Sequence, residues 1–78
     1  MKNLCLTARE RAAARCMLKG WGDAKSSRQL GIAKTTVREY NKKLYDKTGQ
    51  DGQIGLVTFL LYNPWAMEQV MDIKYDVQ

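Results

Sequence analysis

The 78-residue sequence contains no histidine, and it has only one proline, one phenylalanine and two cysteines. Without histidine the chain lacks the usual general base, the partner of a catalytic serine and the nitrogen ligand of a Cys–His zinc site. The sequence also shows no glycine-rich phosphate-binding loop and no cluster of metal-ligating residues. An enzymatic activity, a metal site and a bound cofactor are therefore not expected.

The two cysteines, Cys5 and Cys16, have no close partner in the sequence. Two reduced thiols are favoured over a disulfide, with Cys16 buried as a small apolar side chain. No signal peptide is evident, and the apolar runs are too short to cross a bilayer. We expect a cytoplasmic protein with no membrane partner.

Basic side chains outnumber acidic ones by thirteen to eight, which gives a net charge of +5. The excess lies in residues 1–64, with twelve basic and five acidic side chains, whereas residues 65–78 hold one and three. A basic body of this kind is typical of a protein that binds a polyanion, and double-stranded DNA is the first candidate. The apolar fraction of 45% predicts a folded domain.

Capping residues and glycines divide the chain into helices. Thr7 and Glu10 have the spacing of a capping box, which predicts the start of a first helix. Asp23 is the expected N-cap of a second helix. Three glycines stand where helices would end with a positive φ: Gly20, Gly31 and Gly49.

The first helix has a narrow apolar face. Ala13, Cys16 and Met17 recur at helical spacing and are expected to face the core. Four basic residues are expected outside this face or at its edges: Arg9, Arg11, Arg15 and Lys19.

A third helix is predicted over residues 34–48. Val37 and Leu44 lie on its apolar seam. The opposite face carries cationic and hydrogen-bonding side chains, namely Lys34, Thr35, Arg38, Glu39 and Lys42. Such a helix can pack on a core with one face and enter a DNA major groove with the other. On charge alone an ordinary solvated surface helix is the alternative.

A fourth helix is predicted over residues 53–62, and it is apolar nearly all round. A terminal helix of so small a domain cannot bury every face, so one face is expected to be an interface. Leu56 and Leu60 are the expected core residues. The expected dimer interface comprises Ile54, Val57, Thr58 and Leu61.

With these helices placed, the segment from Leu6 to Val57 resembles the LuxR/GerE-type helix-turn-helix domain. The resemblance is carried by Leu6-Thr7-x-Arg9-Glu10, Gly20, Leu30-Gly31-Ile32, Thr36-Val37-Arg38, Leu44, Lys47, Gly49 and Leu56. It implies an all-α fold: a small four-helix helix-turn-helix DNA-binding domain over residues 1–64. A short, partly helical C-terminal extension follows at residues 65–78. The chain departs from the family pattern at Ser26, where the family has an apolar core residue.

The resemblance also implies a function, that of a sequence-specific DNA-binding transcriptional regulator acting as a homodimer. The third helix would read the major groove with Arg38, Glu39 and Lys42 at base edges. Lys34, Thr36 and Lys47 would hold the DNA backbone. Independently of the resemblance, Thr35 and Thr36 at a helix N-terminus are well placed for a phosphate, although capping alone would explain one of them. For Glu39, an intrahelical pair with Lys43 is favoured over a base contact.

A second function class stays open at this point. The chain could be a protein-interaction module whose fourth helix pairs with a full-length regulator or with RNA polymerase; a sigma-factor region-4-like fragment is a third reading. The basic face of the third helix favours DNA binding, since a pure decoy has no need of it. With no receiver or ligand-sensing domain attached, the domain is expected to stand alone.

Overall fold

Five helices follow one another along residues 3–71, the part of the chain that the computed structural model describes. They are α1 (Ala8–Leu18), α2 (Asp23–Leu30), α3 (Lys34–Thr48), α4 (Gln53–Tyr62) and α5 (Pro64–Met71). That part of the chain contains no strand, which confirms the all-α fold, and α3 and α4 have the predicted bounds. The end of the predicted C-terminal extension, residues 72–78, lies outside the described residues.

The residues predicted to start and end the helices do so, with one exception. Thr7 Oγ1 accepts from the Glu10 amide and Glu10 Oε1 accepts from the Thr7 amide, so the capping box is confirmed. The three glycines adopt φ values of 77°, 69° and 73° in chain order. The prediction that Asp23 is an N-cap is wrong, because Gly22 occupies that position. The Asp23 carboxylate is instead turned towards α3.

The hydrophobic core is organised around α1, which packs against each of the other four helices. Its predicted face is confirmed, since Ala13, Cys16 and Met17 are all buried. The small side chains among them, Ala13 and Cys16, let neighbouring helices approach closely. The other helices and the N-terminal lead-in contribute Leu4, Val37, Leu44, Leu56, Leu60, Ala66 and Val70. Both cysteines are free thiols, as predicted.

The fifth helix completes the same core. Ala66 and Val70 of α5 are 0% and 1% exposed, and Gln69 Oε1 accepts from the Leu4 amide at 2.9 Å. Helix α5 thus packs under the N-terminal lead-in as well as against α1 and α4. The division of the chain into residues 1–64 and 65–78 stays a prediction.

Arg11, predicted to lie outside the apolar face of α1 or at its edges, is instead buried. Arg11 is 4% exposed, and its Nη1 donates to the Leu6 carbonyl at 2.8 Å. Arg15 is half-buried, and its Nη1 donates to the Val70 carbonyl at 2.7 Å. A guanidinium can be buried when backbone carbonyls accept its N–H groups, as at the end of a helix where carbonyls lack helical partners. These arginines hold the lead-in and α5 onto α1.

A buried ion pair joins α1 to the far end of α3. The Glu10 side chain is 3% exposed, and its Oε1 lies 2.6 Å from Lys47 Nζ. Lys47 Nζ also donates to the Cys5 carbonyl at 2.7 Å. Burial alone raises the pKa of Glu10, but hydrogen bonds from Lys47 and the Thr7 amide and the charges of Lys47 and Lys43 outweigh it. The pKa is therefore lowered from its ordinary value of 4.5.

Removing Lys47 should destabilise the fold in a pH-dependent way. Because the folded-state pKa of Glu10 is lowered, the pair stabilises the fold above the ordinary pKa and loses this contribution as pH falls through the folded pKa. Lys47→Ala should lower the free energy of unfolding at neutral pH by about 2 kcal/mol, since it strands a buried carboxylate. The control Lys42→Ala, at an exposed site of α3, should cost less than about 0.5 kcal/mol. Urea melts that show the same loss at neutral pH and at about pH 3 would contradict this account.

Ser26 carries a hydroxyl at a buried position of α2, where it is 4% exposed. A buried hydroxyl contributes little net stability, because the cost of desolvating it offsets much of what its hydrogen bonds contribute. Removing the hydroxyl can therefore leave the stability unchanged or raise it. We therefore expect Ser26→Ala to be neutral or stabilising in urea melts. Ser27 is the matched control, because its Oγ donates to the Ile32 carbonyl across the turn, and Ser27→Ala should cost about 1 kcal/mol. A larger loss for Ser26→Ala than for Ser27→Ala would show that the Ser26 hydroxyl holds a specific network.

Candidate nucleic-acid interface

Helix α3 divides its side chains between the core and solvent. Val37 and Leu44 are each 1% exposed and hold the helix against the core. Residues at spacings of one, three and four share the opposite face of a helix. The residues exposed there are Lys34, Thr35, Arg38, Glu39 and Lys42. Five of the seven predicted DNA-binding residues thus lie together on one exposed face, which we call the α3 face.

The other two predicted DNA-binding residues lie differently. Thr36 is half-buried, beside the buried Val37. Lys47 has 30% of its side chain exposed, and its ammonium is bound to Glu10 and to the Cys5 carbonyl. A contact between Lys47 and the DNA backbone stays a prediction, and its ammonium would have to make that contact while it holds the ion pair.

The turn between α2 and α3 sets where the α3 face begins. Gly31 takes the left-handed conformation that ends α2, and Ala33 is the N-cap of α3 with extended backbone. Alanine has no side-chain oxygen to accept from the first amides of α3. Those amides keep their hydrogen-bonding capacity for an anion, and the helix dipole favours negative charge at this end.

An ion pair fixes the most central cation of the α3 face. Arg38 has 63% of its side chain exposed, and its Nε donates to Asp23 Oδ2 at 3.0 Å. Asp23 Oδ1 accepts from Asn41 Nδ2 at 3.4 Å, so one carboxylate of α2 bonds to two side chains of α3. Within residues 3–71 the guanidinium uses only Nε in this way, and both Nη groups remain unpaired.

Two further cations, Lys19 and Lys25, lie near the start of α2. In the sequence, only their closeness to Trp21 sets them apart from other surface lysines. The ammonium groups of Lys19 and Lys25 lie 4.6 Å and 4.8 Å from the ring centroid of Trp21. A cation over an indole face is attracted by the ring quadrupole. Trp21 therefore restricts two lysines that otherwise read as ordinary surface charge.

Helix α4 presents an apolar surface away from the core. Leu56 and Leu60 are buried as predicted, whereas Ile54 is 85% and Leu61 is 65% exposed. Of the other two predicted interface residues, Thr58 is exposed and Val57 is half-buried and packs against the core. Ile54, Val57 and Thr58 line an open groove of about 660 Å³. We call the surface of Ile54, Thr58 and Leu61 the α4 face.

The chain matches a known protein family. Residues 4–60 match the GerE family model, described as bacterial regulatory proteins of the luxR family. The matched range includes α1, α2 and α3 and most of α4. No curated protein and no solved structure matches the chain significantly. Across the described residues, none of the helices has both the length and the apolar character needed to cross a membrane.

Proposed function

Because the chain belongs to the luxR family of bacterial regulatory proteins, a family of DNA-binding transcription regulators, we propose that it binds DNA sequence-specifically through α3. The observation that carries this proposal is the α3 face. It is a continuous exposed surface of three cations, one carboxylate and one hydroxyl on a helix whose other side is anchored by Val37 and Leu44. A helix of this kind fits the major groove, where base edges present distinct hydrogen-bonding patterns. A DNA-binding role implies that the protein acts in the cytoplasm.

The residues of the α3 face divide by their position along the helix. Lys34, Thr35 and Thr36 lie in the first turn, where amides and cations suit a phosphate. The side chains at base edges lie further along the helix, with Arg38 and Glu39 one turn on and Lys42 two turns on. A guanidinium suits guanine O6 and N7, and a carboxylate accepts from the cytosine amino group.

Two substitutions on α3 should separate base reading from phosphate binding. Arg38→Ala should flatten the preference among DNA sites, because a bidentate contact to guanine contributes about 1–3 kcal/mol of discrimination. Lys34→Ala should weaken binding to all sequences alike and lower the salt slope by about one, because it removes one phosphate contact. Binding would be titrated across a salt series on a duplex selected from random DNA and on an unrelated duplex. If the wild type shows no preference at any salt concentration, sequence-specific reading is excluded.

We also propose that two chains pair through the α4 face. Ile54 and Leu61 are large apolar side chains left in solvent by the monomer, and burying them removes apolar surface from water. Pairing of the same face on two copies gives a two-fold axis. A two-fold dimer reads a pseudo-palindromic site with half-sites about one helical turn, or a multiple of it, apart.

A charge placed on the α4 face should separate the two chains. Leu61→Asp and Ile54→Asp should each give a folded monomer with weaker affinity for a two-half-site duplex, because an unpaired carboxylate cannot be buried in the interface. Both positions are more than half exposed, so the core is spared. Met71→Asp is the control, since Met71 is 52% exposed on α5 and receives the same charge. If both α4 variants sediment at the same rate as the wild type, the interface lies elsewhere.

The α4 face also supports a second candidate, a protein-interaction module. Ile54 and Leu61 of this face, together with the neighbouring Tyr62, which is 80% exposed, suit pairing with a full-length regulator or with RNA polymerase. This function needs no DNA contact from the α3 face. Selection of DNA duplexes by the purified chain distinguishes the two functions. Only the DNA-binding function predicts that particular sequences are selected without a partner protein.

A further inference from the structure

We infer that Asp23 is a positioning residue of the DNA interface, which orients Arg38 for a base and opposes binding to unrelated sequences. The inference rests on the proposed function of α3. It starts from one contact, the 3.0 Å bond from Arg38 Nε to Asp23 Oδ2. This bond connects the first residue of α2 to the second turn of the proposed recognition helix.

The geometry of the pair fixes which atoms of Arg38 are offered to DNA. A guanidinium has five N–H donors in a planar fork and meets guanine either through its two Nη groups or through Nε with one Nη. Asp23 takes Nε, so the arrangement through the two Nη groups is the one left for a base. Both Nη groups lack a hydrogen-bond partner within residues 3–71.

The carboxylate is itself held in place. Asn41, one turn beyond Arg38 on α3, donates from Nδ2 to Asp23 Oδ1 at 3.4 Å. Asp23 also lies in the first turn of α2, where the helix dipole favours a negative charge. A long exposed side chain loses conformational entropy when it is ordered on binding, so an arginine already restricted before DNA arrives loses less.

The charge of Asp23 adds discrimination by repulsion. In a complex with unrelated DNA, Arg38 would leave Asp23 to reach a phosphate, and the 38% exposed carboxylate would face the polyanion unpaired. In the specific complex, Arg38 keeps Asp23 neutralised while it binds the base. Asp23 therefore opposes the wrong complex more than the right one, which is one way in which specificity arises.

The test is Asp23→Asn, which keeps the shape of the side chain and removes its charge. The ratio of affinities for the selected and the unrelated duplex should fall by about fivefold or more, a part of what one bidentate contact discriminates. Most of this fall should come from tighter binding to the unrelated duplex. Asp23→Ser, which also lacks the charge and suits the start of a helix, should behave in the same way.

Two controls separate positioning from a change in net charge or in stability. Glu68→Gln removes one negative charge from an exposed site on α5 and should leave the ratio unchanged. An exposed ion pair stabilises a fold only weakly, so urea midpoints of the wild type and Asp23→Asn should agree closely. In an Arg38→Ala background, Asp23→Asn should change the ratio by less than about twofold, because coupled residues do not add.

The outcomes distinguish this inference from the proposed function. If the wild type prefers the selected duplex and Asp23→Asn keeps the full ratio, the positioning role is overturned and the proposed function stands. An equal fall with and without Arg38 also overturns it, because Asp23 would then act without that arginine. A wild type with no preference among sequences overturns both.

Discussion

The ion pair between Glu10 and Lys47 is the contact on which the placement of α3 depends. Glu10 Oε1 accepts from the Thr7 amide, which closes the start of α1, and from Lys47 Nζ near the end of α3. The same ammonium bonds to the Cys5 carbonyl and so holds the lead-in. One buried carboxylate therefore ties three segments together, and its cost of burial is offset by this number of donors. With that end fixed and Val37 and Leu44 in the core, α3 has a defined outer face.

The two outward surfaces of the molecule follow from how small it is. A chain of this length buries only part of its apolar surface, so α4 places Leu56 and Leu60 in the core and leaves Ile54 and Leu61 in solvent. Helix α5 covers α1 with Ala66 and Val70 and leaves the α3 face uncovered. The proposed DNA reading by α3 and the proposed pairing through α4 thus use separate elements that share one core.

The sequence predicted the helices well because their signals are local. A capping box, a C-terminal glycine and a periodic seam each involve residues within a few positions, and α3 and α4 begin and end as predicted. The contacts that the sequence did not reveal are those of side chains with distant or backbone partners. Lys47 pairs with a residue 37 positions away, Arg38 with one 15 positions away, and Arg11 with a carbonyl. No pattern of neighbours reveals such a partner, so the residues of the α3 face could be predicted while the contacts that orient them could not.

The central claim is that α3 lies in the major groove and meets guanine there. Guanine N7 is on the major-groove edge, and methylation by dimethyl sulfate reports whether it is covered. On a duplex selected by the purified protein, we expect guanines within each half-site to be protected from methylation by the wild type and exposed again with Arg38→Ala at saturating protein. A selected duplex whose guanines stay fully reactive while the protein is bound would contradict major-groove reading by α3.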